Sequence, residues 1–295
     1  MFKRIIVGVD EHEGGGDAIA LAKALRADDG EVILVHVNVA SDSRIFGTAG
    51  TVYEPVERRR GNELLDKARQ DAGLDADRRY LRSTSVGRGL HELAEAEGAD
   101  LLVLGSRRRG LLGRILVGDE TRAALNGAPC AVAVAPAGYT SEQGTMREIG
   151  VGYDGSPESK AALELARSLA AETGAKLSAF RAISLPTYLF TGGPTPTEES
   201  IDEFVDEARK LLAELGGLEP HAAYGNAAEE LAVYSASLDL LVAGSRGYGP
   251  LGRLFHGGTS GQLARVARCP LLVLARGVRK IPPVALADAE MAGRR

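Results

Sequence analysis

Glycines spaced along the second half of this 295-residue chain are of a type and pattern that could hold phosphates. Asp239-Leu-Leu-Val-Ala-Gly244-Ser-Arg246-Gly247 carries an apolar run into a glycine-rich loop, and Gly257-Gly258 then precedes Thr259-Ser260 and a helical pattern. Glycine lets main-chain N–H groups approach an anion, and a helix N-terminus adds partial positive charge. On this reading Gly244 turns the chain sharply off a strand and Gly247 leaves room for phosphate. Gly257, Gly258 and Thr259 offer successive N–H groups, and the Thr259 or Ser260 hydroxyl binds phosphate or caps the helix. Arg246 and Arg253 add charge-assisted hydrogen bonds. The same glycines also suit tight turns and close helix–sheet packing, so the spacing leaves both uses open.

The chain carries an altered copy of this stretch. Asp100-Leu-Leu-Val-Leu-Gly105-Ser-Arg107-Arg108-Arg109 begins the same frame 139 positions earlier, and eleven of the thirty-one positions from Gly105 to Ala135 match their counterparts. Here Arg108 stands for the second glycine, and Gly118 is followed by Asp119. A side chain at 108 fills space the backbone would need for phosphate. A carboxylate at 119 about 4 Å from another anion repels it by ~1 kcal/mol in water and more in a shielded cleft. Arg107, Arg108 and Arg109 could still hold an anion by their side chains. Alternatively, Asp119 is a helix N-cap and the arginines form a solvated loop.

The elements that must position these residues alternate along both halves. Strands are expected near 4–9, 31–38, 78–85, 100–105 and 131–135, with helices near 16–28, 56–72, 88–97 and 119–127. The second half repeats them, with strands near 148–153, 176–183, 220–224, 239–243 and 271–275 and helices near 157–173, 198–215, 226–236 and 259–267. Nearly continuous apolar strands are buried on both faces, as in a parallel sheet covered by helices. The fold class expected is α/β: two tandem, doubly wound, five-stranded parallel-sheet domains. They would span residues 1–137 and 146–277, joined by a turn-rich linker at 137–145 and followed by a tail at 278–295. Ligands of such sheets sit beyond the strand C-termini. Asp10 and Asp154 end the first strands and Gly105 and Gly244 the fourth, so adjacency of strands one and four would put each pair in one crevice.

With 44% hydrophobic and 25% charged residues the composition is that of a globular protein, and tryptophan is absent. The net charge of −5 argues against nucleic acid or an anionic membrane as the main partner. No apolar run reaches the ~18–20 residues of a membrane span, and the N-terminus lacks a signal-peptide pattern. Cys130 and Cys269, at matching positions, are expected to be buried thiols rather than a disulfide. Together these features predict a cytoplasmic protein.

The motifs resemble those of the universal stress protein family, and the chain resembles a tandem member of it. Gly244-Ser-Arg-Gly247, nine residues, then Gly257 reproduces the spacing of the family's nucleotide-binding members, although Gly258 stands where they carry Ser or Thr. Tyr153-Asp154-Gly155-Ser156 matches the family's strand-end Asp-Gly-Ser. The resemblance covers about residues 3–136 and 147–276. It implies a Rossmann-like fold of the adenine nucleotide alpha hydrolase type, ATP as ligand with Mg2+ as its companion ion, slow or absent hydrolysis, and a regulatory, stress-response role. Asp154 would then accept a hydrogen bond from adenine or ribose, and Ala182 occupies the position of a backbone contact to adenine. The second half is the better candidate ATP site. In the first half Asp10, followed by Glu11-His12, joins Val37, Gly105, Arg108 and Gly118 as a second set of candidates. The resemblance also implies that fifth strands pair across domains, giving an intrachain pseudo-dimer, with homodimerisation left open.

No catalytic set stands out. His12, His36, His91, His221 and His256 lack metal-ligand spacing; His36 reads as a packed strand residue and His256 as a solvated one. No Walker lysine or general base is recognisable, which weighs against an enzyme, leaving a slow ATPase or a nucleotide-free scaffold as alternatives. The run of acidic residues from Glu198 reads as the solvated first turn of an amphipathic helix. The loop at 185–196, rich in proline and glycine, is a candidate flap over the second site or a plain connector.

Overall fold

The computed structural model describes residues 1–11, 14–39, 49–106, 127–139, 146–184, 197–245 and 259–274. The candidate flap, the tail at 278–295, and the helix expected at 119–127, apart from Gly127, lie outside the described residues. The first half contains β1 (Phe2–Gly8), α1 (Gly14–Leu25), β2 (Arg26–Val39), α2 (Ala49–Ala72), β3 (Asp77–Ser83), α3 (Val86–Glu97), β4 (Leu101–Gly105) and β5 (Ala131–Ala135). The second repeats the order with β6 (Glu148–Gly152), α4 (Pro157–Thr173), β7 (Lys176–Ile183), α5 (Glu198–Ala213), β8 (Glu219–Tyr224), α6 (Ala227–Tyr234), β9 (Leu240–Gly244), α7 (Thr259–Val266) and β10 (Leu271–Leu274).

Within each half the five strands are parallel, in the spatial order third, second, first, fourth, fifth. The two sets do not remain separate sheets. β10 pairs antiparallel with β5, matching Leu271 with Val134, Leu272 with Ala133 and Val273 with Val132, and this joins all ten strands into one sheet. Under the 139-position repeat Leu271 corresponds to Val132 and Val273 to Val134, so the pairing maps onto itself about Ala133 and Leu272.

Alternation along the strands divides the core between the two faces. Ile5, Val7, Leu101 and Val103 pack with Leu21, Leu25, Leu163 and Leu169 of α1 and α4 on one face. Ile6, Leu102 and Leu104 pack with Leu90, Leu231 and Leu263 of α3, α6 and α7 on the other. Both clusters contain residues from both halves, so the core runs through the junction. Burying one such leucine contributes roughly 1.5–3 kcal/mol.

The repeat extends to polar detail. The Asp100 carboxylate accepts the N–H groups of Lys3 and Arg4 at 2.9 and 3.0 Å, and Asp239 accepts those of Arg147 and Glu148 at 2.7 and 3.0 Å. Each aspartate thus ties the start of a fourth strand to the start of a first. Cys130 and Cys269 are free and buried at equivalent positions.

Several boundaries differ from expectation, among them α2, expected near 56–72, which begins at Ala49. The helix anticipated at 16–28 stops at Leu25, and β2 begins at Arg26. Arg26 pairs with Phe2, and a register shift follows before Arg4 meets Glu31, so residues 27–30 are accommodated in the strand instead of the helix. The linker begins with anchored residues: Tyr139 is buried and the Gly138 N–H donates to the buried Asp17 carboxylate at 3.0 Å.

Candidate functional site

β1 lies directly beside β4, and β6 beside β9, so a crevice opens in each half where the two strands end together. Asp10 and Asp154 follow the first strand of each pair; Gly105 and Gly244 close the second.

The neighbouring strands overrun these ends. The last bond from β1 to β2 runs from the Val9 N–H to the Val35 carbonyl at 2.8 Å, and its counterpart from the Tyr153 N–H to the Phe180 carbonyl at 2.9 Å. β2 continues to Val39 and β7 to Ile183. In a parallel strand a residue directs its N–H and C=O to one side, and the side alternates from residue to residue. Val37 and Ala182 therefore point theirs the same way as Val35 and Phe180, into the crevice past the end of the ladder. A planar heterocycle carrying an adjacent donor and acceptor fits such an edge.

The turn after β6 is built by its own side chains. Asp154 Oδ1 accepts the Ser156 N–H at 2.9 Å, and Ser156 Oγ, as N-cap of α4, accepts the Ser159 N–H at 3.2 Å. Pro157 supplies the fixed φ suited to a first helical residue. Gly155 adopts φ +83°, which a residue with a Cβ enters only at a cost. Asp154, Gly155 and Ser156 thus hold the N-terminus of α4 against the crevice.

Gly244 has a different role from the one expected. It is a regular strand residue, absent from the positive-φ glycines. A Cβ placed on it would lie 2.4 Å from the Glu158 carbonyl oxygen and 2.5 Å from its carbon. The first turn of α4 crosses the end of β9 at a separation only glycine permits. Thr259 and Ser260 open α7. Arg246, Gly247, Arg253, His256, Gly257 and Gly258, with His12, Arg107, Arg108, Arg109, Gly118 and Asp119, lie outside the described residues.

In the first half a cavity of about 330 Å3 occupies the crevice. Asp10, His36, Val37, Asn38, Glu57 and Ser106 are among its lining residues. His36 is half-buried, its Nδ1–H donates to the Val9 carbonyl at 2.9 Å, and its ring lies 6.0 Å from that of Tyr80. Asn38 Nδ2 donates to Glu57 Oε2 at 3.3 Å, and Glu11 pairs with Arg60 at 2.9 Å. Sequence reasoning missed Asn38, Glu57 and Ser106; His36, read as a packed strand residue, does pack beside Tyr80 and also lines the cavity. The serine carried a signal, since Gly-Ser-Arg occurs in both copies; Glu57 comes from α2, which no motif tied to the crevice. Among the described residues no three His, Cys, Asp or Glu side chains gather in a way that could hold a metal ion.

A profile of the universal stress protein family matches residues 1–136 and, a second time, 145–275. The chain belongs to the universal stress protein family. A universal stress protein of Mycolicibacterium smegmatis is 27% identical over 292 residues, which cover 92% of this chain and 96% of the relative. A universal stress protein structure from Archaeoglobus fulgidus superposes with a TM-score of 0.62 at 16% identity, covering 93% of this chain and 98% of its own. One from Pseudomonas aeruginosa gives 0.62 at 18% identity, covering 93% of each. These likenesses establish for this universal stress protein the Rossmann-like α/β fold with two family domains. Among the described residues no helix is long and apolar enough to cross a membrane.

Proposed function

We propose that this universal stress protein binds adenine nucleotide, ATP foremost, at the strand C-termini and works as a regulatory stress-response protein through the occupied state. The observation that carries the reading is the overrun of β7 and β2. It presents the main-chain donor and acceptor of Ala182 and Val37 beside Asp154 and Asp10, across from the glycine ends of β9 and β4. The adenine edge takes the main-chain pair, the ribose lies near the aspartate, and the phosphates lie toward the loop that follows the glycine.

The second half is the primary site in this proposal. Gly247 and Gly258 put no side chain at their positions in its loop, whereas Arg108 and Asp119 put a bulky cation and a carboxylate at the counterparts in the first half. Mg2+ would be carried by the phosphates rather than by a preformed carboxylate site. The two halves would act as a pseudo-dimer within one chain in a cytoplasmic protein.

Releasing small molecules from the purified chain by heat and identifying them by mass spectrometry tests the reading. Recovery of ATP or another adenine nucleotide at about one per chain is expected, together with a rise in Tm on adding Mg-ATP. No nucleotide and no shift would leave an interaction scaffold.

A further inference from the structure

Two serine hydroxyls stand out as groups the described residues leave unused. Ser106 and Ser245 are the first residues past β4 and β9, and both are almost wholly buried, with 1% and 0% of their surface exposed. Their main-chain N–H groups are engaged in the same way: Ser106 donates to the Ala135 carbonyl at 2.9 Å and Ser245 to the Leu274 carbonyl at 3.0 Å. Among the described residues their Oγ atoms have no hydrogen-bond partner. Buried hydroxyls are normally satisfied, because desolvation without a partner is unfavourable. An orphan at one position is a local defect. The same orphan at both repeat positions, each beside a crevice, indicates a partner that arrives with a ligand.

The site's geometry says which part of a ligand that is. Ser106 lines the first-half cavity on its β4 wall with Leu104 and Gly105, across from Val35 and Val37 on the β2 wall. The matching backbone bonds place Ser245 at the same point of the second crevice. A base held at the Val37 or Ala182 edge leaves the sugar and phosphates nearest the serine. A hydroxyl can donate to a phosphate oxygen, or donate and accept with a ribose hydroxyl.

We propose that Ser245 is a ligand-binding residue whose hydroxyl is completed by the sugar–phosphate portion of the bound nucleotide, with Ser106 its counterpart in the first half. This inference rests on the nucleotide reading above. Alanine would make the same backbone bond and fill nearly the same space, so what serine adds at this position is the hydroxyl.

The test is Ser245→Ala in the full chain, titrated with Mg-ATP by calorimetry and melted without ligand. A lost neutral hydrogen bond corresponds to about a five- to tenfold weaker Kd. The ligand-free Tm should stay level or rise, since the substitution removes an unpaired buried hydroxyl. Ser106→Ala should leave the affinity of the primary site within twofold. An unchanged Kd in Ser245→Ala, with the parent chain binding normally, overturns the assignment. So does a fall in the ligand-free Tm, which would show that the hydroxyl supports the fold itself. A parent chain that gives no binding heat with Mg-ATP defeats the nucleotide reading instead, and is distinguished by that control.

Discussion

Gly244→Ala should damage this protein far more than a single methyl suggests. The added Cβ would meet the Glu158 carbonyl oxygen at 2.4 Å, its carbon at 2.5 Å and its Cβ at 2.9 Å. Two of these atoms are helix backbone, so no rotamer change relieves the contact. Restoring ordinary van der Waals distance requires α4 to retreat by roughly 1 Å from β9. That helix packs Ala162, Leu163, Leu165, Ala166 and Leu169 against the sheet, all nearly inaccessible to solvent. Overpacking typically costs 1–3 kcal/mol, and a rigid backbone neighbour puts this case near the upper end, at about 3 kcal/mol. Gly155→Ala is the internal control. Its φ is +83° and nothing lies within 4 Å of the added Cβ, so it carries only the left-handed backbone penalty of about 1 kcal/mol. Urea denaturation and thermal melts of both variants should separate them: about 6–12 °C lost for Gly244→Ala against about 2–4 °C for Gly155→Ala. Equal losses, or a Gly244→Ala change under about 0.5 kcal/mol, would refute the close-approach argument.

Gly247→Arg, which copies Arg108 into the second half, should weaken ATP binding at least tenfold in calorimetry; an unchanged Kd would show that the altered first copy is not impaired by that residue. Asn226→Ala should cost about 1 kcal/mol in urea denaturation, because the side chain caps α6 by accepting the Ala228 and Glu229 N–H groups at 2.9 and 3.4 Å. Alkaline pH should destabilise the fold through its buried acids. Burial pushes the Cys130 thiol up from 9.0 to about 12 and the Tyr139 and Tyr234 phenols from 10.0 to about 12, and it also raises Cys269. The folded state keeps protons that the unfolded chain releases, so this contribution is complete below about pH 9 and is lost as the pH climbs toward 12. Tm measured from pH 7 to 11 should begin to fall above pH 9, and a level Tm up to pH 11 would contradict the assignment.

The alternation of strands and helices was legible because Ile5–Val7, Val32–Val35 and Leu101–Leu104 are continuous apolar runs, and two-sided burial in a parallel sheet demands such runs. The crevice residues Asp10, Asp154, Gly105 and Gly244 were legible as strand ends, since a strand end follows from where an apolar run stops. The reason for Gly244 was not, because Glu158 approaches it only once α4 crosses β9, and no local pattern records a crossing. The end of α1 was misplaced for a related reason. Arg26-Ala-Asp-Asp continues a passable helix, and pairing with Phe2 overrides that preference. His36 illustrates a third kind of limit. Its apolar strand neighbours suggested packing, while its ring hydrogen bond to Val9 depends on β2 overrunning β1. Whether a side chain faces core or crevice is decided by where the adjacent strand ends.

The join between the halves bears on why an altered copy of the glycine motif persists beside the one that keeps Gly247. β5 and β10 are buried throughout, and each is completed on one side by its own half and on the other by its partner. Neither half can shed the other without exposing an apolar strand edge, which invites nonspecific pairing. Further contacts bind the N-terminal region to the second half and to the linker: the Met1 ammonium meets Glu172 of α4 at 2.5 Å, and Asp17 holds Gly138. Arg108 and Asp119 fall between β4 and β5 in sequence and belong to neither strand. Substitutions there can change ligand chemistry while the joining strands stay intact. The first half is therefore held in place by its contribution to the shared sheet whatever it binds, and that frees its loop to diverge from the copy that keeps Gly247 and Gly257.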